Sequence, residues 1–127
     1  MAYPADLKYT KEHEWVSVDG NTGTIGITDY AQNSLGDIVF VELPDVGATL
    51  KAGQSFGSVE SVTAVEDLLA PVGGVVEARN EAVLASPEEL QNDPYGEGWL
   101  LMVRPSEPAQ LELLMEASAY GAKVAGG

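Results

Sequence analysis

Apolar residues along this chain recur mostly at every second position in short runs, the spacing of half-buried β-strands, and clusters of glycine, proline and asparagine separate the runs. Residues 14–18 and 24–27 alternate in this way on either side of Asp19-Gly20-Asn21, residue types that tolerate positive φ, and predict a hairpin. Thr28 can cap a short helix in which Ala31 and Leu35 lie one turn apart on a single face, and Gly36 supplies a left-handed stop. A longer β run covers 37–43 and Pro44 closes it. Leu50, Phe56 and Val59 continue the strand pattern, residues 71–74 turn the chain, and 75–78 read as the next strand. Ser86-Pro87-Glu88-Glu89 has a cap residue, a proline at the first helical position and a glutamate at the third, so a short helix is expected to begin there. Residues 99–103 read as the last strand. From Ser106 the spacing becomes helical, with Leu111, Leu114 and Met115 backed by Ser118 and Ala119, and predicts an amphipathic C-terminal helix that packs one face on the sheets.

The stretch 60–71, ESVTAVEDLLAP, is the most telling of these elements. Residues 56–60 approach it as a half-apolar strand and 64–69 leave it, so Thr63 is predicted at the tip of an exposed hairpin. Many short strands, small flanking helices and no low-complexity linker predict a mainly β barrel-sandwich hybrid with short peripheral helices and a C-terminal helix, forming a single domain over residues 1–127.

Composition narrows the functions. Six lysines and arginines against twenty acids give a net charge of −14, which repels phosphate backbones and anionic membranes and leaves cationic protein surfaces as natural partners. No cysteine is present, so disulfides, thiolate nucleophiles and cysteine metal sites are excluded. No apolar run reaches the length that spans a bilayer, and residues 1–7 lack a basic patch followed by an apolar core. Neither nucleic acid nor membrane is expected as a partner.

A series of motifs in fixed order runs through nearly the whole chain: Leu7-Lys8-Tyr9, His13-Glu14-Trp15-Val16, GITDYAQ from Gly26, LGDIVFVELP from Leu35, Glu60-Ser61-Val62, and DPYGEGW from Asp93 to Trp99. By these motifs the chain resembles the H proteins of the glycine cleavage system, which have a lipoyl-domain-like fold. The resemblance implies a carrier and not an enzyme. In that family a lipoic acid arm, held on a lysine at the hairpin apex, takes an aminomethyl group from the P protein (glycine decarboxylase). It presents the group to the T protein (aminomethyltransferase) and is reoxidised by the L protein (dihydrolipoyl dehydrogenase). The resemblance also implies lipoylating enzymes as partners, with Glu60, Ser61, Val62 and Asp67 as the part of the hairpin they read. It further implies a cleft that holds the loaded arm, to which Glu12, Glu14, Ser34 and Asp67 correspond by position. The expected setting is the bacterial cytoplasm, or the mitochondrial matrix where a transit peptide has been removed.

The chain departs from this pattern at the apex, where Thr63 takes the place of the lysine. A stable amide needs a nucleophilic amine, and lysine offers one on a four-carbon stem, whereas threonine has an un-ionised hydroxyl on a branched β-carbon. Lys51, the nearest lysine in sequence, precedes a different turn. No covalently bound lipoic acid is therefore expected. Either a lysine was replaced deliberately to keep the protein unlipoylated, or a natural relative has lost or repurposed carriage, and the otherwise intact hairpin favours the first. The competing function is a non-carrier relative that binds or regulates the glycine cleavage or lipoylating enzymes.

Other candidate chemistry is weaker. His13, the only histidine, has no nucleophile motif beside it and cannot form a zinc site alone, so it reads as a structural or partner-contact residue. Glu14 and Asp67 could equally be solvated strand residues. Asp93 and Glu97 lack the spacing of a calcium loop and read as turn chemistry, and Trp15 and Trp99 read as packing. No catalytic residue and no metal ligand set emerges.

Overall fold

The computed structural model describes residues 4–106 and 108–126, with the side chains of 32–34, 108, 125 and 126 outside the description. Nine strands form two antiparallel sheets among these residues. The larger sheet contains β1 (Lys8–Tyr9), β2 (Glu14–Asp19), β3 (Thr22–Ile27), β5 (Thr49–Leu50), β8 (Gly74–Arg79) and β9 (Leu101–Pro105), in the order β1-β2-β3-β9-β8-β5. The smaller is β4 (Ile38–Glu42), β6 (Ser55–Ser61) and β7 (Val65–Leu69), ordered β4-β6-β7.

Local chemistry accounts for much of this. Asp19 pairs with Thr22, so the first hairpin turns on Gly20-Asn21, and Gly20 has φ +63° at the first central position, as a type II′ turn requires. Helix α1 (Asp29–Leu35) starts where the Thr28 hydroxyl accepts the Ala31 N–H at 3.4 Å, and ends at Gly36, φ +82°. Gly57 is required for another reason. A Cβ there would lie 2.1 Å from the carbonyl oxygen of Glu42, so only glycine lets β6 run this close to β4.

The core lies between the sheets, where Val16, Ile25, Val59, Val72, Val76, Leu101 and Val103 are buried. Full burial of such a side chain contributes about 1.5–3 kcal/mol. A second apolar cluster, Leu7, Tyr9, Trp15 and Tyr120, lies apart from that core. Trp15 and Val16 are neighbours on one strand and so point to opposite faces, which is why β2 feeds both clusters. The Trp15 indole N–H donates to the carbonyls of Ile27 (3.2 Å) and Pro94 (3.1 Å), satisfying its one polar atom.

Two helical expectations need correction, and one helix was not predicted. Residues 86–89 do not make a capping box: the chain passes Ser86 and Pro87 in a turn, α3 (Glu89–Asn92) begins later, and no side chain caps it. The preceding helix, α2 (Glu81–Ala85), escaped the sequence pattern because it is short, and the Asn80 side chain caps it by accepting the N–H groups of Ala82 and Val83. The C-terminal segment is not one helix from Ser106. A 3-10 segment, Pro108–Leu113, is followed by a bridge in which Met115 and Tyr9 exchange backbone hydrogen bonds of 2.7 and 2.8 Å, and only then comes α4 (Ala117–Gly126). The last strand also begins two residues later than expected, at Leu101.

Candidate functional site

The turn between β6 and β7 is built by Ser61, which is buried. Its N–H donates to the Ala64 carbonyl at 2.8 Å, and its Oγ accepts the N–H groups of Ala64 (3.0 Å) and Thr63 (3.3 Å). One side chain thus organises the turn from inside, the local bonding at which serine is adept. Val62 and Thr63 are left exposed at the apex, Val62 at 68%. Thr63 therefore occupies the tip that the alternation predicts.

Beside this hairpin a cleft of about 410 Å³ opens between the smaller sheet, α1 and the start of β2. Its apolar wall is Ile27, Ala31, Leu35, Val59 and Leu68, and its polar wall includes Glu12, His13, Glu14, Glu66 and Asp67. Of the four residues that the resemblance groups in a cleft, Glu12, Glu14 and Asp67 line this one, and the Ser34 side chain lies outside the described residues. Glu60, Ser61 and Val62 belong to the hairpin and do not line the cleft.

Glu14 and Asp67 separate clearly. Asp67 is exposed, whereas Glu14 is 2% exposed. The Glu14 carboxylate accepts the Thr10 hydroxyl at 2.7 Å and the Leu69 N–H at 3.3 Å. Burial pushes its pKa up to about 7, against the opposing pull of those two hydrogen bonds. It is a carboxyl set to change charge near neutrality at the edge of an apolar trough.

His13 was not expected in this cleft. It takes φ +74°, rare for a residue with a side chain, and this turns its ring against Tyr30 (centroids 4.8 Å apart). Its Nδ1 lies 2.7 Å from the Tyr120 hydroxyl, which is also 2.7 Å from the Thr28 hydroxyl. Burial lowers its pKa, favouring the neutral ring. Tyr120 reaches the site from α4, and no local pattern marks it. Glu66 was missed as well: only the pairing of β6 with β7, which sets Glu66 opposite the buried Val59, assigns it to the inner face.

The remaining candidates take structural roles. Asp93 Oδ2 accepts the Glu97 N–H at 3.0 Å and the Asp93 carbonyl accepts Gly96 and Gly98, which is turn bonding. Among the described residues no group of three or more potential ligands could hold a metal ion, and no helix is long and apolar enough to cross a membrane.

A small β-sandwich with a protruding, internally braced turn beside a half-acidic cleft has the form of a lipoyl-type carrier domain. Residues 7–126 match the family model described as glycine cleavage H-protein. The chain is 62% identical over 127 residues to the glycine cleavage system H protein of Synechococcus sp. (strain CC9605), covering 100% of this chain and 98% of that one. It is 61% identical over 125 residues to its counterpart in Parasynechococcus marenigrum (strain WH8102), covering 98% and 97%. The crystal structure of a glycine cleavage system H protein from Mycobacterium marinum matches with a TM-score of 0.89 at 40% identity, covering 97% of this chain and 99% of that one. The chain belongs to the glycine cleavage H-protein family, a family of lipoic acid carriers that work with P, T and L proteins and not of catalysts.

At the exposed apex Thr63 offers a hydroxyl and no amine.

Proposed function

We propose that this chain is an H-protein scaffold in a form that cannot carry the lipoyl arm. It is a single domain over residues 1–127, works in the bacterial cytoplasm, and keeps the surfaces met by the P, T and L proteins and by lipoylating enzymes. The observation that carries this reading is Thr63 at the exposed apex, where the family resemblance calls for lysine. The chemistry is the same for a lysine replaced deliberately and for a natural relative that has lost carriage. Glu60, Ser61, Val62 and Asp67 are the hairpin residues that a lipoylating enzyme would read. Glu12, Glu14 and Asp67, with Ser34 by position, are assigned to holding the cationic end of an arm.

The braced hairpin and the buried Glu14 support this reading, since a turn held from within and a carboxyl kept beside an apolar trough are features a carrier uses. The test restores the amine. Thr63→Lys, co-expressed with a lipoylating enzyme, is expected to gain the mass of one lipoyl group and to support glycine cleavage with purified P, T and L proteins. The unaltered chain is expected to gain no mass. Lipoylation of Thr63→Lys without turnover would favour the second reading, a relative that binds or regulates the system without carrying. Lipoate found covalently on the unaltered chain would overturn both.

A further inference from the structure

Trp15 lies on the outer face of β2, and its strand neighbours Glu14 and Val16 point the other way, into the cleft and the core. A Cβ on Gly26, its partner on β3, would lie 2.5 Å from the indole, so the ring lies across β3 at that point. The next pair on the same face is Ser17 opposite Thr24, two short side chains. A large ring beside two small residues leaves a step in the sheet surface. Tyr95 and Trp99, from the loop before β9, and Asp6, from the segment before β1, enclose the step in a hollow of about 340 Å³. Asp6 is the one charged residue of its lining, which has no lysine, arginine or histidine.

The polar atoms of the hollow divide into those already bonded and those left over. The Trp15 N–H is taken by the carbonyls of Ile27 and Pro94, and the Tyr95 hydroxyl donates to Asp29 Oδ1 at 2.9 Å and accepts the Asp29 N–H at 3.3 Å. These two residues therefore offer only ring surface. Ser17 and Thr24 are half-buried, and their hydroxyls, like the Asp6 carboxylate, have no partner among the described residues. Hydroxyls partly withdrawn from water and left unpaired favour a ligand that bonds to them.

This combination selects a class of ligand. Aromatic faces attract a cation, and the hydroxyls and the carboxylate accept N–H groups. An anion would meet Asp6 and a chain of net charge −14. Among organic cations a guanidinium matches best, because it is planar, weakly hydrated, stacks on aromatic rings and carries several N–H donors. We infer that this hollow is a second ligand site, on the opposite face of β2 from the cleft, and that it binds a guanidinium group against its aromatic wall, with N–H groups donated to Ser17, Thr24 and Asp6. The inference is independent of whether the chain carries a lipoyl arm.

The test titrates methylguanidinium into the isotope-labelled unaltered chain at constant ionic strength, with methylurea as the uncharged analogue of the same shape. Trp15 and Trp99 are the only tryptophans, so the two indole N–H signals report on the hollow directly. A saturable shift of the Trp99 indole and of the Ser17 and Thr24 amides is expected, with methylurea at least about tenfold weaker. Thr24→Val keeps the branched shape on its strand and should weaken binding about three- to tenfold. Asp6→Asn should cost less, and its effect should fade at high salt. Trp99→Leu is the second variant should Thr24→Val unfold, and a loss of at least about threefold is expected from it. Tighter binding of arginine capped at both ends than of methylguanidinium would identify the occupant as an arginine side chain of another protein, and equal or weaker binding as a free guanidinium compound. Methylurea bound as tightly as methylguanidinium would overturn the assignment to a cation. Shifts that grow without saturating, or equal binding by the unaltered chain and both variants, would mean general attraction of cations to an acidic surface and overturn the site.

Discussion

The carboxylate of Glu14, on β2, accepts the backbone N–H of Leu69, on β7, at 3.3 Å, so one buried side chain ties the larger sheet to the strand that leaves the apex. The cleft carboxyl whose charge changes near neutrality is thus also a strut between the sheets, and its protonation links cleft chemistry to stability.

The pH dependence follows from the raised pKa. Burial lifts the Glu14 carboxyl from an ordinary 4.5 to about 7, so between these values the folded chain holds a proton that the unfolded chain has released. The contribution is fully present below about 4.5 and is lost as pH rises through about 7. The slope it adds is at most about 1.4 kcal/mol per pH unit. Urea unfolding at a series of pH values is expected to show stability falling across this window in the unaltered chain, and a flatter profile in Glu14→Gln. A carbon-NMR titration of Glu14 with an ordinary midpoint would refute the account.

Tyr120 connects α4 to both sides of the cleft, through His13 and through the cap of α1. Tyr120→Phe keeps the ring stacked on Tyr9 (centroids 4.8 Å apart) and removes only the hydroxyl. The expected cost is about 1–3 kcal/mol, because the buried Thr28 and the half-buried His13 each lose a hydrogen-bond partner. The nitrogen chemical shifts of His13 should move as well, since its Nδ1 loses a partner at 2.7 Å. Unmoved shifts would mean that the helix does not set the histidine.

Gly57→Ala forces a Cβ against the Glu42 carbonyl oxygen and so separates β4 from β6. Overpacking of this kind costs about 1–3 kcal/mol, occasionally more. Denaturant unfolding should show the loss, and amide exchange should quicken at Val41 and Val59, which pair across the two strands. An alanine variant as stable as the parent would contradict the close approach.

Ser61→Ala removes the acceptor that gathers the Thr63 and Ala64 amides. Stability is expected to fall by about 1 kcal/mol. In the Thr63→Lys background, lipoylation should slow more than stability alone explains, because the apex is no longer held in one shape. Equal lipoylation rates with and without the serine would show that the brace does not matter for recognition.

What the sequence determined is what neighbouring residues decide. Alternation and turn chemistry placed Thr63 at a hairpin tip, Gly20 in the first turn and Thr28 at the start of α1, because these depend on φ preferences and bonds a few residues long. Motif order placed Glu12, Glu14 and Asp67 together only through resemblance. It was tertiary structure that buried Glu14 and left Asp67 in water, since burial depends on which strand packs opposite and not on residue type. It likewise broke the C-terminal helix at Met115, where Tyr9, distant in the chain, offers a backbone donor and acceptor that outweigh helical spacing. Tyr120 enters the cleft's hydrogen bonding only because that break directs α4 back across β1. Contacts between residues so far apart leave no trace in local periodicity, because their partners are chosen by the assembled sheets.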